Sequence, residues 1–452
     1  MAQTESCTPA APATLRRSLT LWDLVLYGVI VIQPTAPMSV YGVISDRARG
    51  HVVTTILIAM VAMLFTAISY GRMARAYPSA GSAFTYVGQE INPALGYVTG
   101  WSMAMDYMLN PIICIIWCSK AAMNFAPGLP YPVWAIFFFI VFTGLNLRGI
   151  RTSARMNTGL AAAMGLVIAI FFVTAARFVL VHPHDGVGFF TRPFFNPLTF
   201  NMKAVLGGTS IAVLTYIGFD GISTLSEEAE NPRRNILLAT VLTCFVIGVL
   251  SAVEVYAAQL IWPASERFPD VDTAFVHVAG RAAGAWFFVV MNLTLLVANF
   301  GSGMAAQLGA ARLLYGMGRS GALPKSFFGA VDPRHRIPRN NVLFVGVVAL
   351  AGAFLLTYEL GAEMLNFGAL IAFMGVNLAA LMRYYVRAQE KKLWNLLPPV
   401  LGFLVCLLLW LNLSRPAMRA GAIWMALGIA YGAWKTGGFR RNLVDFELPA
   451  EE

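Results

Sequence analysis

Gln33-Pro34-Thr35-Ala36-Pro37 and Gly218-Phe219-Asp220-Gly221-Ile222-Ser223 each interrupt a long apolar run with helix-breaking residues. A membrane helix tolerates such a break only where protein or water satisfies the freed backbone groups, so two breaks point to a cavity inside a helical bundle. Asp220 makes that cavity a candidate cation site, because a carboxylate at bilayer depth is costly unless it is paired.

The rest of the chain fits a membrane setting. Of its 452 residues, 58% are hydrophobic and 12% charged, and the mean hydropathy is +0.67. A soluble domain carries about 25% charged residues. A spanning helix needs about 20 apolar residues, and the sequence predicts twelve all-α spans, at 19–45, 51–74, 93–126, 131–147, 156–181, 202–226, 235–262, 284–317, 340–358, 363–386, 394–413 and 420–436. The stretches 93–126 and 284–317 exceed one hydrocarbon thickness, so tilt or projection into water is expected. No hydrophilic stretch is long enough for a separate soluble domain.

With alternate loops assigned to opposite sides, 22 Lys and Arg fall on the side that holds both termini and 10 on the other. The positive-inside rule then makes both tails, 1–18 and 437–452, cytoplasmic. The net charge of +10 is thereby a topology signal and gives no reason to expect nucleic-acid binding. The first apolar run is too long for a signal-peptide core, which predicts that it is retained. Cys7, Cys114, Cys118, Cys244 and Cys406 lie in the tail or in apolar helices, without the spacing of a disulfide framework. Cys114 and Cys118 share a helix face with no acidic or histidine partner nearby, so they read as packing residues rather than a metal site. No HExxH, Walker or GxSxG motif appears. Nothing points to an enzyme, a metal or another cofactor.

Helices 1–5 (19–181) and 6–10 (202–386) form two sets of five, and in each set the first helix is the broken one. Corresponding breaks are the signature of repeats around a central site, and an odd helix number per repeat requires inverted topology. Helices 11 and 12 (394–436) then lie outside the repeats as a packing or dimerisation surface.

A broken helix presents N–H groups to anions at one half-helix end and carbonyls to cations at the other. Asp220 either contacts a cationic substrate or ion there or caps the second half-helix. Phe219 and Tyr216, beside it, are candidates for cation–π contact or for covering the cavity, with core packing as the alternative. Asp106, next to Tyr107 in helix 3, could hold a second ammonium, relay a proton or pair with a neighbouring helix. Glu254 is expected solvated or hydrogen-bonded near the outer interface. Glu227, Glu228 and Glu230, beside Arg233 and Arg234, read as an ion-pair network or an inner-gate latch.

The run from Thr215 through Asn235 resembles helix 6 of the amino acid–polyamine–organocation superfamily. Tyr77–Tyr86, Arg312–Pro324 and Asn366–Leu370 resemble the loop after its helix 2, the end of its helix 8 and its helix 10, in the expected order. Within the superfamily the chain resembles bacterial putrescine importers at Gln33–Pro37, Gly218–Ser223, Leu225–Glu228, Trp101 with Asp106-Tyr107, and Asn146–Arg148. The resemblance implies a LeuT-type 5+5 inverted repeat in the inner membrane of a bacterium. It also implies alternating access and import of a small-molecule substrate, a polyamine or an amino acid, driven by an ion gradient.

Carried over residue by residue, Asp220 falls where related putrescine carriers place an essential acid, and Gly218, Gln33, Pro34, Thr35 and Ala36 fall in the broken segments. Where several antiporters have Trp, this chain has Leu214. Where amino-acid carriers have a Gly-Ser-Gly type break whose N–H groups bind the substrate carboxylate, it has Gln33 to Pro37, and two prolines remove two donors. Fewer donors and an added acid favour an amine over an amino acid. The helix 5 lysine of some proton-coupled carriers is replaced by Met164. Proton coupling would then run through Asp220, Asp106 or a Glu, and a sodium site using Ser302 is the alternative. A proton-coupled amino-acid symporter or an exchanger is the competing function, and a transporter-like sensor a more remote one. The oligomeric state is not legible.

Overall fold

The computed structural model describes residues 19–77, 82–148, 154–184, 188–225, 228–319, 323–332 and 337–439. Among them the architecture is all-helical, with one isolated β-bridge. In chain order the helices are α1 (Leu21–Ile32), α2 (Ala36–Arg47), α3 (Val52–Ala76), α4 (Ser82–Glu90), α5 (Pro93–Phe125), α6 (Tyr131–Leu147), α7 (Ala154–Val181) and α8 (Met202–Ala212). Two 3₁₀ segments follow, Val213–Tyr216 and Phe219–Leu225. The second part holds α9 (Pro232–Ile261), α10 (Ala274–Ala283), α11 (Ala285–Arg319), α12 (Lys325–Phe328), α13 (Arg339–Leu355), α14 (Tyr358–Leu381) with a π turn at Met382–Val386, α15 (Leu393–Leu411) and α16 (Arg415–Thr436).

All twelve predicted stretches are helical. Among the described residues, eight helices are long and apolar enough to cross a membrane, with α8 counted together with its 3₁₀ continuation to Ser223. The pair α1 and α2, bent by 47° at their break, makes a ninth. By length α6 and α13, at 17 residues each, fall short of that mark, and α16 carries Arg415, Arg419 and Lys435. The loops also contain more order than the sequence suggests, since α4 and α10 are helices inside two of them.

Helix starts follow local chemistry. Thr20 caps α1 in a reciprocal box with Asp23, whose carboxylate accepts the Thr20 N–H at 2.9 Å. Asn92, Asn201, Thr357 and Ser414 cap α5, α8, α14 and α16. In the bundle α3 runs along α9, and α5 is clasped between α11 and α14. Buried amides join helices that have no polar alternative at this depth. Asn146 donates to Gln307 Oε1 at 2.9 Å, and Gln307 donates to Thr143 Oγ1 at 2.9 Å, which ties α6 to α11. The last helix is seated by reciprocal bonds: Trp101 donates its indole N–H to the Trp424 carbonyl at 2.9 Å, and Trp424 donates to the Trp101 carbonyl at 3.0 Å. The outward side chains of α15 and α16, among them Leu404, Leu411, Ile423 and Leu427, are exposed and apolar, as a lipid-facing surface requires.

Candidate functional site

The two breaks abut. A Cβ on Gly218 would lie 3.1 Å from a Val31 methyl and 3.3 Å from Ile32, so a side chain there would press on the helix that leads into the first break. Gly218 also has φ +121, which side-chain-bearing residues rarely adopt. At this junction lies a cavity of about 490 Å³, within the range of small-molecule sites. It is walled by α1, α5, α7, the second break and α11.

In the first break most backbone donors are used internally or missing. Gln33 N–H donates to the Val29 carbonyl, Ala36 to Gln33 and Met38 to Thr35, each at 3.1 Å. Pro34 and Pro37 have no N–H to offer. Gln33 has φ 69, and its side-chain amide donates to the Ala298 carbonyl on α11 at 3.0 Å, which holds the break against that helix.

The second break is built differently. The chain leaves α-geometry at Ala212 and continues as 3₁₀ helix on both sides of Ile217 and Gly218. Asn366 of α14 donates to the carbonyls of Ser210 and Ile211 at 2.7 and 3.2 Å, satisfying acceptors at the end of the α-helical part. The backbone N–H groups of Asp220 itself, Gly218 and Gly221 lie around the Asp220 carboxylate, which borders the cavity.

Of the residues singled out in the sequence, Gln33, Pro34, Asp106, Tyr107, Gly218, Asp220 and Ser302 come together on the cavity wall. Thr35 is buried with its hydroxyl toward the Met164 sulfur at 3.9 Å, and Ala36 lies beyond the wall. Phe219 and Tyr216 point into the core. Phe219 packs edge-on against Tyr70 at 5.4 Å and beside Phe373 at 5.3 Å, and Tyr216 donates its hydroxyl proton to the Ile56 carbonyl at 2.9 Å. With three residues per 3₁₀ turn, neighbours diverge by about 120°, so Phe219 and Asp220 cannot share a face. The aromatic surface of the cavity comes instead from Tyr107 and from Tyr27 of α1, 39% and 37% exposed. Neither Tyr27 nor Asn110, which also lines the wall, carries a sequence signal beyond its helix.

Glu254 differs from its expected interfacial, solvated setting. It is fully buried, and neither oxygen has a hydrogen-bond partner among the described residues. The physical reason is that α9 packs against α3, α1 and α7, and Gln259 near its end donates to the Gly50 carbonyl, so this end of the helix is buried in the bundle. Glu227 lies outside the described residues. Glu228 meets the first helix through its backbone: its carbonyl accepts the Leu19 N–H at 3.0 Å, and Glu230 N–H donates to Leu19 at 2.8 Å.

The cavity is one-sided. Beyond the first break no α2 residue lines it, and Pro37 through Ser45 are all buried. On that face Lys120 sits 3.8 and 3.9 Å from Asp270 and Asp272, and Arg47 sits 3.6 Å from Glu363 and 3.9 Å from Glu359. Burial and the neighbouring Asp270 raise the Asp272 carboxyl to about 6 against the pull of Lys120. On the opposite face Glu90, nearly inaccessible, binds Arg383 and Arg387 and accepts a 2.8 Å bond from Tyr77. Burial and that bond raise the Tyr77 phenol to about 12.

Residues 28–429 match the family model for amino acid permeases. The chain is 36% identical over 442 residues to the low-affinity putrescine importer of Escherichia coli (strain K12), covering 96% of each chain. It is 26% identical to the branched-chain amino acid permease of Bacillus subtilis (strain 168), covering 92% of each. It is also 26% identical to a vacuolar cationic amino acid transporter of Arabidopsis thaliana, over 83% of this chain and 64% of the other.

Proposed function

This chain belongs to the amino acid permease family, and on that premise we propose that it imports putrescine or a related amine across a bacterial inner membrane. The observation that carries the reading is the state of the two breaks. In the first break the N–H groups of Gln33, Ala36 and Met38 are engaged internally and Pro34 and Pro37 have none, while a carboxylate, Asp220, borders the cavity. An ammonium fits such a site better than an α-carboxylate does. The similarity to a putrescine importer over nearly the whole chain supports the same choice.

In this reading the twelve helical segments all span, as five plus five inverted helices and two more, with both termini cytoplasmic. The cavity, bordered by α1 and closed off at α2, belongs to an inward-facing conformation, and the Lys120 and Arg47 ion pairs seal the outer face. Alternating access exposes Asp220 to each side in turn. An inside-negative potential contributes about 2.3 kcal/mol per charge per 100 mV, so a dication gains about 4.6 kcal/mol before any coupled proton is counted. Protons are the coupling ion in this proposal. The similarity to a branched-chain amino acid permease favours amino-acid transport as the second reading.

The test is uptake of labelled putrescine into proteoliposomes. Accumulation should follow an imposed inside-negative potential, and Asp220→Asn should lower uptake by roughly 100-fold, the loss of a charge-assisted contact in a poorly solvated site. Uptake unaffected by that change would remove Asp220 from the site.

A further inference from the structure

The same cavity carries a second carboxylate. Asp106 lines it from α5, and no Lys, Arg or His is present on its wall. None of the ion pairs among the described residues involves Asp106 or Asp220. Two acids in a largely apolar pocket, without a built-in cation, leave a charge for the ligand to balance.

The surroundings of Asp106 suit an ammonium. Pro111 lies inside α5 and has no N–H for the carbonyl four residues earlier, so the Tyr107 carbonyl lacks its helical donor. The Tyr107 ring rests against Gly309, where a Cβ would lie 3.3 Å away, and shows part of its surface to the cavity. A carboxylate and an aromatic ring thus line the same cavity, with a freed carbonyl in the helix between them and Pro111. Asp220, on the same cavity wall, has the Tyr27 ring within electrostatic reach. Ile30, Val31, Leu160 and Ala298 supply apolar wall suited to methylene groups.

We infer that the cavity takes a diamine with both ends engaged, one ammonium at Asp220 and the other at Asp106, and that Asp106 selects diamines over monoamines. This rests on the amine-import reading and adds the requirement for two cationic centres. A monoamine would leave one carboxylate without its counter-charge.

The test compares 1,4-diaminobutane with 1-aminobutane as ligands of the full-length purified protein, its Asp106→Asn variant and its Asp106→Glu variant. Binding is read by calorimetry, and each variant's melting temperature is recorded. The preference for the diamine should fall roughly 10- to 100-fold in Asp106→Asn and be largely kept in Asp106→Glu. The ratio is taken within one protein, so a partly unfolded sample does not shift it. An unchanged ratio in Asp106→Asn, or an equal loss in Asp106→Glu, overturns the role of Asp106 and leaves amine import standing. Absence of binding of either amine to the unaltered protein overturns the import reading and this inference with it.

Discussion

The first break keeps α-helix on both sides and adds no charge, whereas the second converts its helix to 3₁₀ and adds Asp220. Gln33 holds the first to α11 with its own amide, while Asn366, reaching from α14, supports the second. The difference separates two jobs. One break supplies a hinge-like bend with few anion donors, and the other supplies the charge.

The sharpest way to break this arrangement is to push the two regions apart. Gly218→Ala should cost about 3 kcal/mol, from the unfavourable φ together with contact on Val31 and Ile32. The check is a lowered melting temperature in detergent together with loss of uptake. Gly221→Ala, where the nearest atom would be 4.0 Å away, should be much milder.

The supports should be unequal. Asn366→Ala strips the Ser210 and Ile211 carbonyls of a fully buried donor and should cost about 2 kcal/mol. Gln33→Ala should cost about 1 kcal/mol, because Gln33 borders the cavity, where water can replace its bond. Chemical denaturation of the two variants side by side checks the order, and an equal cost would show that the breaks are held alike.

The smallest effect concerns the seal over α2. Asp272 has its carboxyl raised to about 6 in the folded protein, from an ordinary value near 3.8. The folded state therefore binds its proton more tightly than the unfolded state does. Stability from this group is fully present below about 4 and is lost as pH rises to 6 and beyond. Melting temperature measured from pH 7 down to 5 should gain under about 2 °C from this group, and Asp272→Asn should remove that gain.

Much of this was legible because it rests on composition and on breakers. Both breaks show as Pro and Gly in apolar runs, and Asp106 and Asp220 are visible as acids at bilayer depth. The stretch 131–147 is the helix Tyr131–Leu147 to the residue, since Pro130 and Arg148 bound it. Side-chain direction inside the breaks was not legible. An unbroken helix puts Tyr216 one turn before Asp220, but the chain turns at Ile217 and Gly218, and Tyr216 and Phe219 both face the core. Tyr27 and Asn110 reach the cavity through packing between helices far apart in sequence, which no local pattern reports. Glu254 was misplaced for a similar reason, because the burial of its helix end comes from helices that pack on it from elsewhere in the chain.

Ornithine is putrescine with an α-carboxylate added, so competition between the two isolates the central claim. In proteoliposomes taking up labelled putrescine under an inside-negative potential, ornithine should compete at least roughly 10-fold more weakly than unlabelled putrescine, the cost of a charged group left without donors. Equal competition would show that the breaks do offer a carboxylate site, and it would contradict the account.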